Sequence, residues 1–125
     1  MNSGVLHTME ALANTLSLRR LERGQLLFAA EEPGNTIFAV ISGSVELSWG
    51  DGPGEHFGPG DVIGVGALVS DGHRRHGTAR AQEASELMEM TREQFLFAVQ
   101  ETPMFALELM AALERRLRRL ENSED

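Results

Sequence analysis

The sequence has no cysteine, no lysine and no apolar run of 18 residues. The first absence excludes disulfides, thiolate metal sites and cysteine nucleophiles. The third excludes an ordinary membrane-spanning helix, so no membrane partner is expected. The N-terminus, Met1-Asn2-Ser3-Gly4-Val5-Leu6-His7, lacks a basic region followed by an apolar core. No secretion signal is therefore expected, and the cytoplasm is the expected location. With lysine missing, all 11 basic residues are arginines, set against 19 acidic ones for a net charge of −8. Genome composition accounts for the missing lysine. A chain this acidic repels nucleic acid unless its positive charge is clustered, and none is expected as a partner.

What is present is the material of one globular domain: 125 residues, 42% of them apolar. Residues Thr8 to Leu16 place Met9, Leu12, Ala13 and Leu16 at helical spacing, which predicts a short N-terminal helix. From Leu18 to Met90 the pattern turns to short strands. Leu26-Leu27-Phe28 runs into the turn signal Glu31-Glu32-Pro33-Gly34-Asn35, and Thr36 to Ser42 is β-branched and aromatic before Gly43 breaks it. Val45, Leu47 and Trp49 alternate with polar residues ahead of a glycine-dense hairpin tip, Gly50 to Gly54. Thr78 to Ala81 and Ser85 to Met90 read as two more strands. Short strands punctuated by glycine predict a mainly β fold, a β-roll or jelly roll.

At Thr91 the period becomes helical. Thr91-Arg92-Glu93-Gln94 has the form of a capping box, with Phe95, Ala98 and Val99 as the buried face of the helix it starts. Thr102-Pro103 is a second start signal, for a helix running to about Leu120. The expected organisation is an N-terminal helical segment 1–17, a β-roll 18–91, C-terminal helices 92–120 and a frayed acidic tail 121–125. The stripe Ala106, Leu109, Leu113, Leu117 and Leu120, with Met110, has two uses: packing on the roll, or pairing with the same helix of a second subunit. A homodimer through residues 105 to 120 is expected. Arg115-Arg116 and Arg118-Arg119 read as the solvated face of that helix.

The segment Pro59-Gly60-Asp61-Val62-Ile63-Gly64-Val65-Gly66-Ala67-Leu68, followed by Arg75, carries the chemistry. Backbone N–H groups freed by glycines, answered by a guanidinium, form a pocket for a small anion. Arg75 is the candidate contact, with Arg74 facing solvent. His73 and His76, near His56, lack a third convergent ligand and no His-x-His pair exists, so no metal is expected. No nucleophile, base and orienting acid can be assembled, so no enzymatic activity is expected. Glu31-Glu32 reads as a solvated pair, and Trp49 and the methionines as packing residues.

In order along the chain, Gly24-Gln25-Leu26-Leu27-Phe28, Glu32-Pro33-Gly34-Asn35, Phe38 to Val45, Pro59-Gly60-Asp61, Gly64, Ala67-Leu68, Arg75, Thr78-Ala79-Arg80-Ala81, Thr91 to Phe95 and Pro103 resemble cyclic-nucleotide-binding domains. The sensory domains of bacterial cyclic-AMP-responsive transcription activators are the nearest type. The resemblance spans residues 18 to 120. It implies an eight-stranded roll with an N-terminal helix, a phosphate-binding cassette at 59–77 with its own short helix, and two C-terminal helices. It also implies that Arg75 pairs with a cyclic phosphate, that His76 adds a contact, and that the long helix makes the dimer and caps the base. The implied ligand-binding set is Gly64, Val65, Gly66, Ala67, Arg75 and His76, with cyclic AMP or cyclic GMP, or another small anion, as ligand and no bound cofactor.

Two departures stand out. Val65 occupies the position where the family has a glutamate that accepts from the ribose 2′-hydroxyl. No helix-turn-helix, channel or kinase segment follows the last helix, so the expectation is a stand-alone module that signals to a protein partner. Restoring the acid tests the first departure: Val65→Glu is expected to strengthen cyclic-nucleotide binding by about 10- to 150-fold, read by calorimetry. An unchanged affinity contradicts the resemblance at this position.

Overall fold

The computed structural model describes residues 4–12, 15–50 and 52–123. Two four-stranded antiparallel sheets make a roll. Its strands are β1 (Ser17–Leu21), β2 (Leu26–Phe28), β3 (Thr36–Ser42), β4 (Val45–Ser48), β5 (Glu55–Phe57), β6 (Val62–Ile63), β7 (Thr78–Ala81) and β8 (Ser85–Thr91). Their orders are β1-β8-β3-β6 and β2-β7-β4-β5. Four helices accompany them: α1 (Gly4–Ala11), α2 (Val65–Val69), α3 (Arg92–Glu101) and α4 (Met104–Ser123). This is the expected mainly β roll with one N-terminal and two C-terminal helices.

The run Ile37-Phe38-Ala39-Val40 is apolar throughout because β3 is buried on both faces. Phe38 and Val40 point between the sheets, where they meet Leu27, Phe28, Val45, Phe57, Ile63 and Leu87. Ile37 and Ala39 point outward and meet Val5, Met9, Met88, Met90, Ala98, Phe105 and Leu109 under the helices. The two-residue period of a strand thus builds two cores from one segment. β8 repeats the device, with Leu87 inward and Met88 and Met90 outward.

The helix starts follow side-chain capping. Thr91 Oγ1 accepts from Gln94 N at 3.1 Å, while Gln94 Oε1 accepts from Thr91 N at 2.8 Å. The capping box read from the sequence is therefore formed. Two helix boundaries need correction. The N-terminal helix spans Gly4–Ala11, not Thr8 to Leu16, because Val5 and Met9, one turn apart, are fully buried and Ser17 already pairs with Glu89 in the sheet. Of the residues named for that helix, Ala13 lies outside the described residues. α4 continues through Glu121 to Ser123, beyond the expected start of a frayed tail.

The packing face of α4 is also displaced from the expected stripe. Phe105 and Leu109 are buried in the outer core, and Ala112 packs against it. Leu107, Met110 and Leu117 are more than half exposed, as is Met104. Leu109 is thus occupied within its own chain and is not available to a second subunit. Methionines split accordingly, with Met9, Met88 and Met90 in the core and Met104 and Met110 outside it. Phe105→Ala is expected to cost about 3–5 kcal/mol of stability in urea unfolding, and Leu117→Ala less than about 0.5 kcal/mol in the monomer. Equal costs contradict this assignment of faces.

Candidate functional site

Arg75 lies on the segment between α2 and β7, and its backbone is pinned there. Its N–H donates to Glu32 O at 2.9 Å, and its carbonyl accepts from Glu31 N at 2.9 Å. Next to it, Pro33 and Arg74 form an isolated bridge. The turn at Glu31 to Gly34, read from the sequence as punctuation, is therefore the strut that aims Arg75 into the roll. Glu32 is more than a solvated acid, since its carbonyl and its charge both act on Arg75.

Arg75 is 4% exposed. Its Nη1 donates to Thr36 O at 2.9 Å and approaches Gly64 O at 3.5 Å, and Nη2 donates to Thr36 Oγ1 at 3.0 Å. The guanidinium lies 4.4 Å from the Phe28 ring centroid and 5.5 Å from that of Phe38. A buried charge requires such partners, and aromatic faces add cation–π attraction. Burial lowers the Arg75 pKa from its ordinary value, with Glu89 and then Glu32 pulling it back up.

Two glycines leave the space this side chain needs. Gly64 has φ 96°, and a Cβ there would come within 2.7 Å of Arg75 Nη1. A Cβ on Gly34 would come within 2.5 Å of Arg75 Nε. Gly64 is also the residue before α2, whose Ala67 and Leu68 are buried. The first N–H groups of any helix have no acceptor inside it, and here they border open space.

That space is a cavity of about 410 Å³ lined by Phe28, Leu47, Trp49, Gly64, Val65, Gly66, Ala67, Arg75, His76, Gly77 and Arg116. Its size suits a small organic ligand. The six residues named from the sequence, Gly64, Val65, Gly66, Ala67, Arg75 and His76, all border it. Arg74 is exposed and donates to Glu31 O at 3.0 Å. The other histidines are engaged separately: His73 Nδ1 is 2.8 Å from Ala67 O, and His56 Nδ1 is 2.6 Å from Gln82 Oε1.

A family model for the cyclic nucleotide-binding domain matches residues 18–102. The chain belongs to that family. The Cyclic AMP receptor protein of Thermus thermophilus is 34% identical to it over 113 residues, 86% of this chain and 52% of its own length. A CRP-like cAMP-activated global transcriptional regulator of Mycobacterium tuberculosis is 28% identical over 118 residues, 90% of this chain and 52% of its own. The chain thus spans about half the length of these curated relatives. Among solved structures, one from work on a cyclic-GMP-dependent signalling pathway that regulates bacterial phytopathogenesis superimposes with TM-score 0.78 at 28% identity, covering 98% of this chain and 95% of its own. The Thermus thermophilus Catabolite Activator Protein gives TM-score 0.75 at 28% identity, covering 95% and 58%.

In this cyclic nucleotide-binding domain the cavity has walls that sequence reasoning missed. Trp49 is not a packing residue. It lies past the end of β4, is 53% exposed and borders the cavity. Arg116 is not on a solvated face. Its Nε and Nη2 donate to the two carboxylate oxygens of Glu55 at 2.7 and 2.8 Å, and its guanidinium lies 5.3 Å from the Phe57 ring centroid. The signal was available in phase: residue 116 is seven after Leu109 and eleven after Phe105, on the buried side of a 3.6-residue helix. Arg119 adds a 3.1 Å contact to Asp61, so the far half of α4 is tied to the β5–β6 region.

Gly64→Ala is expected to destabilise the fold by more than the about 1–2 kcal/mol that a left-handed backbone costs, because Arg75 Nη1 must also move. Urea unfolding checks this, and a loss below about 1 kcal/mol contradicts the packing described.

Proposed function

We propose that the chain is a non-enzymatic sensory module that binds a cyclic nucleotide, or a related small anion, in the cavity between α2 and α4. The observation that carries this reading is Arg75. A guanidinium placed dry at the floor of an open cavity, beside a helix start, is disposed to meet an anion. Planar bases suit the apolar walls, with Phe28, Leu47 and Trp49 available for contact.

The ligand signal would pass through α4, because Arg116 borders the cavity while the same helix is rooted in the outer core at Phe105 and Leu109. The recipient is a protein partner. A second copy of the chain is the first candidate, docking on the exposed face of α4 at Leu107, Met110 and Leu117 rather than on the full stripe Ala106, Leu109, Leu113, Leu117 and Leu120. With net charge −8, the domain itself is not the nucleic-acid-contacting element, and the cytoplasm is its proposed setting.

Val65 favours a second reading, a ligand-free interaction domain on the same fold. Among the described residues, no carboxylate borders the cavity to accept from a ribose hydroxyl. Calorimetry with cyclic AMP and cyclic GMP separates the two. The first reading expects saturable binding that Arg75→Ala weakens by about 10- to 150-fold, the loss of one charge-assisted hydrogen bond. Binding indifferent to Arg75→Ala contradicts the first reading, and silence toward both nucleotides contradicts its cyclic-nucleotide form and favours the second.

A further inference from the structure

We propose that the cavity takes a ligand carrying two phosphate groups, one against Arg75 and the other against Arg116 of α4. This rests on reading the cavity as the binding site and goes beyond it by naming the ligand class.

Arg116 is built for a fixed position. Its Nε and Nη2 are held by both oxygens of Glu55, whose side chain is only 8% exposed, and the guanidinium carbon lies over the Phe57 ring. A guanidinium has five N–H donors in a rigid fork. Glu55 engages one on Nε and one on Nη2, so three remain, including both on Nη1, with no acceptor among the described residues. These unspent donors sit on a side chain that borders the cavity. Glu55 is therefore a positioning residue: it locks the plane of a guanidinium that still has donors to offer.

Arg75, the other guanidinium of the cavity, comes from a different part of the chain, the segment before β7 rather than α4. No carboxylate among the described residues borders the space, and Val65 contributes only apolar surface at the start of α2. A second phosphate entering there meets the Arg116 donors that the Glu55 carboxylate leaves free. His76, exposed and bordering the same cavity, offers a further ring nitrogen. A cyclic mononucleotide has a single phosphate and satisfies one of the two forks. A ligand with two phosphates satisfies both, and bidentate arginine–phosphate pairing adds geometry as well as energy.

The experiment is calorimetry at fixed salt with cyclic AMP, adenosine 3′,5′-bisphosphate and cyclic di-AMP, on the parent chain, Arg116→Gln and Arg116→Lys. At least one of the two-phosphate ligands is expected to bind the parent about tenfold tighter than cyclic AMP or better. Which of them does so distinguishes a doubly phosphorylated nucleoside from a linked dinucleotide. Arg116→Gln is expected to weaken that ligand about tenfold more than it weakens cyclic AMP. Arg116→Lys, which keeps the charge but not the fork, is expected to fall between, and it carries the comparison if Arg116→Gln unfolds. The proposal is overturned if cyclic AMP binds the parent as tightly as both others, or if the Arg116 substitutions weaken all three in proportion, as loss of a purely structural latch would. Arg75-dependent binding of cyclic AMP without a two-phosphate preference removes this proposal alone. Failure of the parent to bind any of the three removes the sensory reading with it.

Discussion

A guanidinium placed in the interior of a β-roll has to be satisfied by its own chain, and the burial of Arg75 organises much of this domain. Leaving that charge without partners would cost several kcal/mol, a large fraction of the stability margin of a small protein. The chain therefore supplies Thr36 O and Oγ1 as acceptors and the Phe28 and Phe38 faces as neighbours. It also keeps Gly34 and Gly64 free of side chains where the guanidinium passes. With Arg75 itself, these residues come from four separate stretches of sequence, at 28, 34–38, 64 and 75. Sheet pairing brings them together: β3 carries Thr36 and Phe38, while β3 pairs with β6, whose end leads into Gly64.

A second constraint is the placement of α4. Its first half is rooted by Phe105 and Leu109 in the outer core, and its second half is held by arginine–carboxylate pairs, Arg116 with Glu55 and Arg119 with Asp61. The two attachments differ in strength. Burying a phenylalanine and a leucine contributes about 1.5–3 kcal/mol each. A partly exposed ion pair such as Arg119 with Asp61 contributes about 0–1 kcal/mol. The half of α4 beside the cavity is thus held by polar contacts, the bidentate Arg116–Glu55 pair and the weaker Arg119–Asp61 pair, and it is the half that borders the proposed ligand.

The fold was largely legible in the sequence because its signals are local. Strand alternation at Val45 and Leu47, glycine turns and the Thr91–Gln94 capping box each follow from a few neighbouring residues. The cassette residues Gly64 to Ala67 and Arg75 could be named because they lie close together in sequence and follow a recognisable order. Arg116, Glu55 and Trp49 could not be named in the same way. Their roles depend on where α4 lands on the roll, a contact across about sixty residues of chain, and arginines that alternate with leucines look solvated until the phase of the helix is fixed. The N-terminal helix was displaced for a related reason: Val5 matters only because Phe105 and Leu109 arrive to cover it.

The central claim is that an anion at Arg75 is felt by α4. Hydrogen–deuterium exchange of the intact chain, with and without saturating cyclic AMP or a two-phosphate nucleotide, tests it most directly. The account predicts slower exchange across Gly64 to Leu68 together with a change across residues 113 to 123, while the outer-core residues around Phe105 stay as they are. Protection confined to Gly64 to Leu68, with α4 unaltered, would contradict the coupling, and no change in either segment would contradict the site.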